Sequence, residues 1–344
     1  MKRLVLAASA LGLVCTAVLA TATAVDAWGA TGHRTIGVAA MRALPGELPA
    51  FLRQPGAVAE IGELSREPDR TKGAGQPHDR ERDTAHFVDL DDAGHVMNAA
   101  GPTLDALPVL KSEYDAQLLA AGIEVNDAGY LPYAIMDGYQ QLARDFATWR
   151  VLNAAEAREA DPGKRAWYRE DRLRREALIL RDIGYLSHFV GDGSQPHHLS
   201  IHYNGWDRNT PNPEGFTTSR QTHGAFEGAF IRRATRLDAV EAAMPPLALD
   251  GFDLRARTAT YLNTTLGQVI PFYRLEKDGG FREVDARGTA FATARLAAAA
   301  AELRDLVTLA WRDAGTQSIG WPAVKVADVE AGTADPWLAM VGED

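Results

Sequence analysis

The sequence predicts an all-α chain with one helical domain, and three observations predict it. Apolar residues recur at four-and-three spacing in several long stretches, the clearest being Ile135, Tyr139, Leu142, Phe146 and Trp149. No stretch alternates apolar and polar residues long enough to make a sheet, and no internal repeat is visible. The turn residues Gly and Pro cluster between the periodic stretches, as in Arg66–Arg82 and Leu199–Ser219.

The chain begins with Lys2 and Arg3, an apolar run from Leu4 to Ala20, and then Val25, Asp26 and Ala27. A charged start, an apolar middle and a small-x-small end predict an export signal peptide cut after Ala27. That cut leaves 317 of the 344 residues as one domain, 28–344. With Lys2, Arg3 and Asp26 gone, 36 basic and 46 acidic residues become 34 and 45, a net charge of −11. The only cysteine, Cys15, leaves with the signal, so no disulfide and no thiolate ligand is expected afterwards. The run at the start is short for a membrane span, and no other stretch is apolar enough, so no stable membrane anchor is expected.

After Trp28-Gly-Ala-Thr-Gly-His33, an apolar helical pattern runs from about Thr35 to Leu52. Arg66–Arg82 reads as a loop, and Leu107–Ala121 as a helix. Leu173, Ala177, Leu180 and Gly184 form a stripe leading to His188 and Asp192. Helices are expected near Thr222–Leu237, Phe252–Gly267 and Thr289–Ala314, the last with Leu296, Leu303, Leu306 and Ala310 inward. The tail from Trp321 reads as irregular.

The chemistry concentrates in Gly184–His198. His188 and Asp192 are four apart, which stacks them on one helix face. Gly193 and Pro196 then end the helix, and the turn returns His197 or His198 toward the same spot. His223 and Glu227 repeat the four-residue spacing. A lone pair of this kind is usually a salt-bridged helix face. Two pairs, with His188, His197, His198 and His223 inside 36 residues, point instead to a metal site. Neutral imidazole with carboxylate is a ligand set that zinc accepts. A purely structural zinc site is disfavoured, because such sites are usually closed and rich in cysteine. There is no phosphate-cradling glycine loop and no Gly-x-Ser-x-Gly elbow, which argues against those two nucleophile and nucleotide chemistries. His78 and His95 lie in polar stretches and read as solvated, as do Asp91 and Asp92.

Five motifs occur in one order: Trp-x-x-x-x-His, Pro-Asp-Arg, His-Phe-Val-Asp, His-x-x-x-Asp-x-x-Gln-Pro-x-His and His-x-x-x-Glu. In this order the stretch from Trp28 to Glu227 resembles the trinuclear-zinc phosphodiesterases. These comprise the single-strand-specific nucleases of the S-one and P-one type and the bacterial zinc-dependent phospholipases C. The resemblance implies three Zn2+ ions in an all-α fold. It implies Asp69, His86, His188 and Asp192 as ligands of the first ion, and His198, His223 and Glu227 of the second. The third ion would take the free amine and carbonyl of Trp28, with His33 and a bridging Asp192. Phe87 and Asp89 would stack on and hydrogen-bond a base, and Lys72, with Arg70 as rival, would hold charge on the reacting phosphate. The implied activity is hydrolysis of single-stranded DNA and RNA to 5′-nucleotides by an exported monomer. Glu227 departs from the nucleases, which usually carry Asp there, and matches the phospholipases. The stretch 93–165 is longer than in the fungal enzymes and reads as added helices.

Overall fold

The computed structural model describes residues 28–342. The signal segment and its cut after Ala27 lie outside the described residues. Sixteen helices follow one another through these residues. They begin with α1 (Gly29–Arg42), α2 (Pro55–Leu64), α3 (Glu67–Arg70), α4 (His78–Arg82), α5 (Lys111–Ala120) and α6 (Val125–Ala128). The two longest of the middle are α7 (Leu131–Arg158) and α8 (Pro162–Gly193). Then come α9 (Thr222–Gly224), α10 (Ile231–Ala234), α11 (Leu237–Ala243), α12 (Leu254–Leu266), α13 (Val269–Lys277), α14 (Ala286–Ala314), α15 (Val326–Ala331) and α16 (Trp337–Val341). A two-residue hairpin, β1 (Ser318–Ile319) with β2 (Val324–Lys325), is the one sheet among the described residues. No described helix is long and apolar enough to cross a membrane.

The frame is α7 laid along α8, with α14 packed against α7, α8 and α1, and α2 wedged between α1 and α8. Sequence explains the frame. Pro132 and Pro162 sit in the first turns of α7 and α8, where a missing N–H costs nothing. The Asp161 carboxylate accepts the Lys164 N–H and so caps α8. In α14, Leu296, Leu303, Leu306 and Ala310 are buried as their spacing predicts. Their small Ala neighbours let α1 and α8 approach, and they join one core that includes Ile36, Ile61, Leu142, Phe146, Ile183 and Leu186.

Several expectations need correction. The first helix covers Gly29–Arg42, and only a 3-10 turn, Ala50–Arg53, lies near Leu52, because Pro45 and Pro49 end the pattern. Arg66–Arg82 is not all loop but holds the short turns α3 and α4. The stripe through Leu173 and Ala177 faces solvent; Leu173 is 50% exposed, and the inward residues of α8 are Tyr168, Ile179, Ile183, Leu186 and Val190. The first half of α8 turns Tyr168 inward instead, against Leu152 and Ala155 of α7 and Trp337 of α16. The expected helix Thr222–Leu237 is broken into α9, a π-helical turn at Ala225–Phe230, and α10. The tail carries the hairpin, α15 and α16. The helix α13 is an addition that the sequence reading did not contain.

Candidate metal centre

Five short pieces of chain deliver the side chains. His33 comes from the first turns of α1 and Asp69 from α3. His86 ends the 3-10 turn Asp83–His86, and His188 and Asp192 come from the last two turns of α8. As the spacing predicts, α8 stops at Gly193, and Pro196 opens the 3-10 turn Pro196–Leu199 that carries His198. His223 lies in α9 and Glu227 in the π-helical turn. A π turn widens the helix by one residue. Here it accompanies burial of both Phe226 and Phe230 in an aromatic group with Phe281, while Glu227 faces the histidines.

These side chains form three groups, each with ligand atoms within 4.8 Å of one another: His33, Asp69 and His188; His86, His188 and Asp192; His198, His223 and Glu227. The first two groups share His188. Asp192 Oδ2 lies 3.0 Å from His86 Nδ1, and Asp192 Oδ1 lies 3.5 Å from His33 Nε2, so this carboxylate faces two groups at once. Asp69 reaches His33, His86 and His188 at 3.7–4.0 Å. In the third group Glu227 lies 3.3 Å from His198 and 2.8 Å from His223.

The donor atoms are fixed from behind. His188 Nδ1 donates to the Ser65 carbonyl at 2.9 Å, and His198 Nδ1 to the His86 carbonyl at 2.6 Å. Each bond leaves Nε2 as the lone pair aimed into the centre, the arrangement that orients metal-bound histidines. His198 Nε2 then faces His223 Nε2 at 3.2 Å, and His86 Nδ1 faces His188 Nε2 at 2.9 Å. A cation between each pair would take both lone pairs; without one, a proton must stand between the rings. Both ring nitrogens of His33 and Asp192 Oδ1 are buried without a hydrogen-bond partner. Orphaned buried donors and acceptors of this kind are rare and call for an ion or water. The residues therefore fit bound metal ions, in three groups.

Electrostatics agrees. Burial alone would raise the Asp192 carboxyl, yet His188 and His198 hold it well below the carboxylate range. Glu227 is likewise lowered against its burial, by His223 and His198. Burial pushes His33 down to about 3 and His86 down to about 4. Both stay neutral and ready to ligate at neutral pH. In the metal-free centre, Asp192 and Glu227 raise His198 to about 9 against its burial. Metal and proton therefore compete for His198.

The remaining expected residues surround this centre. Lys72 Nζ lies 2.6 Å from Asp69 Oδ1 and its side chain is 15% exposed. Asp69 and Asp192 hold its ammonium charged in spite of burial. Arg70 is 61% exposed and pairs with Glu67 at 2.6 Å, so Lys72 and not Arg70 stands at the centre. Phe87 is half-buried in extended backbone beside His86, and its carbonyl accepts the Leu131 N–H at 3.0 Å. Gly129, with φ of 84°, makes that approach possible, since a Cβ there would lie 2.1 Å from the Phe87 carbonyl oxygen. Asp89 is buried, its Oδ1 has no hydrogen-bond partner, and burial pushes its carboxyl well above the usual range despite the pull of His198.

Trp28 is fully buried, and its indole N–H donates to the Gly191 carbonyl at 2.6 Å and to Ser194 Oγ at 3.1 Å. The side chain thus ties the start of α1 to the end of α8. Of the two adjacent histidines, His198 joins the third group. His197 packs its ring on Phe272 at 4.3 Å and leaves Nε2 unpartnered. His202 is buried, bonded to Asp92 at 3.0 Å and stacked on Trp206 at 3.6 Å, where it braces the 200–216 loop. The sequence reading missed Gln195, whose amide oxygen accepts the His197 N–H and whose amide nitrogen donates to Glu227. Its place inside Gln-Pro-x-His was the available signal. It also missed Ser65, since a backbone carbonyl leaves no mark in sequence.

Comparison of the chain with protein families, with curated proteins and with solved structures finds no match.

Proposed function

We propose that this chain is an exported zinc-dependent phosphodiesterase that cuts single-stranded DNA and RNA to 5′-nucleotides. The single observation that carries the reading is the set of three ligand groups, two of them joined through His188 and Asp192. Its side chains are among those that the resemblance implies, although His33 groups here with Asp69 and His188 rather than with Asp192, and we assign the amine and carbonyl of Trp28 as further ligands on the resemblance alone. When bound, zinc supplies Lewis acidity, bringing the pKa of water to about 7 and screening phosphate charge.

The chain's own residues do the rest. His33, His86, His188, His198 and His223, with Asp69, Asp192 and Glu227, hold the ions. Lys72 places a fixed positive charge beside Asp69, where phosphate oxygens gain charge as phosphorus becomes five-coordinate. A water oxygen bonds to phosphorus, the P–O3′ bond breaks, and a proton reaches the departing 3′ oxygen. Phe87 offers a half-buried ring for a base to stack on, and we assign Asp89 to hydrogen-bond that base on the resemblance alone, since its Oδ1 is buried. The acidic surface of the chain disfavours general binding of nucleic acid, so attraction must come from the loaded centre.

Glu227 favours a second reading, a phospholipase C, because the resemblance places Glu there in that branch. One zinc-loaded sample assayed against single-stranded DNA, RNA and phosphatidylcholine vesicles separates the two. Release of 5′-nucleotides supports the nuclease; release of phosphocholine alone overturns it.

A further inference from the structure

A second cavity, of about 390 Å³, opens between α7 and α8 beside the metal centre. Its wall includes Ala85 and Phe189, the chain neighbours of the ligands His86 and His188. The Phe189 ring meets the edges of both those imidazoles at 5.6 Å, so one phenyl group lines the cavity and touches the centre. Along α8 the stripe continues outward at four-residue steps through Tyr185 to Arg181. The Arg181 guanidinium lies 4.5 Å over the Tyr185 ring. Across the cavity Lys111 lies 3.5 Å over the Tyr130 ring, and Tyr133 is fixed by donating its hydroxyl to the Pro108 carbonyl at 2.9 Å.

The cavity thus pairs aromatic faces with cations, on a chain that is acidic elsewhere. Arg82 adds a third cation at the wall. The acids that share the wall are Glu81, Asp137 and Asp182. Arg181 bonds Asp182 at 3.1 Å, and burial raises the Asp137 carboxyl and, with the nearby Asp145, brings Asp182 to about 7. The volume falls in the ordinary range for small-molecule sites, roughly 300–1,000 Å³. Aromatic faces bind bases by stacking with little regard for sequence, and cations bind the phosphates between them.

We propose that this cavity is a second nucleotide subsite, which holds the base and phosphate of a unit neighbouring the one that is cut. The inference rests on the nuclease reading and gives it a strand direction, out of the metal centre past Phe189 and along α8 to Arg181. It implies that longer single strands bind better than the shortest ones.

The test measures binding by fluorescence anisotropy, using phosphorothioate-linked dithymidylate and tetrathymidylate on the zinc-loaded mature protein. Wild type should bind the tetranucleotide more tightly. Arg181→Ala and Tyr185→Ala should each reduce the ratio of tetranucleotide to dinucleotide affinity about tenfold, the scale of one stacked base. The Arg181 side chain is 55% exposed, so its removal leaves folding intact and the test usable. An unchanged ratio in both variants, while Phe87→Ala weakens both probes, overturns the subsite and leaves the nuclease reading standing. Failure of wild type to bind either probe overturns the nuclease reading, and the subsite with it.

Discussion

Lys72 is the residue on which the electrostatics of the centre turns. Its ammonium is pinned by Asp69 and kept charged by two carboxylates, so it can answer charge on a phosphate without moving. Lys72→Ala should lower the rate on single-stranded DNA by roughly 10²-fold or more, the scale of one lost charge-stabilising donor. Zinc content should hold, and Arg70→Ala should stay near wild type. Equal loss in both variants, read from initial rates, would refute the assignment. A second residue, away from the centre, sets a pH response. Burial and the nearby Asp145 carboxylate push Asp182 from 3.8 to about 7. A carboxyl raised by folding favours the folded state while protonated, and that contribution is lost as pH rises from about 4 through about 7. Asp182→Asn should therefore raise Tm relative to wild type at pH 8 and change it little at pH 4. Thermal melts at the two pH values check this; a gain only at low pH contradicts it.

At the scale of elements, the centre depends on how closely α8 meets α2. Gly184 makes that contact possible, because a Cβ there would lie 2.4 Å from Leu64 Cβ. The same contact brings the Ser65 carbonyl to His188. Gly184→Ala should cost about 1–3 kcal/mol as overpacking, outweighing the better helix propensity of Ala. It should also weaken zinc binding, since His188 loses its brace. Retained Tm and zinc affinity would show that α2 has room to shift. The elements also explain what could be read from sequence. His188, Asp192, His223 and Glu227 were legible because helix spacing places side chains by rule, while the Gly/Pro stop left His197 and His198 open and only the resemblance chose between them. The outer half of α8 was misread because Leu173 and Ala177 keep the period of a buried face without a neighbour to cover them. The π turn at Ala225–Phe230 was invisible, because an extra residue per turn has no compositional signal. Lys72 and Arg70 could not be separated until α3 fixed which one points at Asp69.

For the whole molecule, the metal centre is also a structural joint. It gathers α1, α3, α8, α9 and three short turns around carboxylates and imidazoles. Without cations these groups are desolvated and only partly paired, a costly arrangement. A chelator should therefore lower Tm, and the loss should depend on zinc concentration as linkage requires. A Tm unmoved by chelation would mean that proton pairing alone satisfies the cluster. The central claim, a hydrolase built on three ions, is tested most directly by one titration. Metal-free mature protein is loaded stepwise with zinc, and the rate of 5′-nucleotide release from single-stranded DNA is followed against bound equivalents. The account predicts negligible rate at one equivalent and a plateau at three. Full rate at one equivalent, or no hydrolysis with three ions bound, would contradict it.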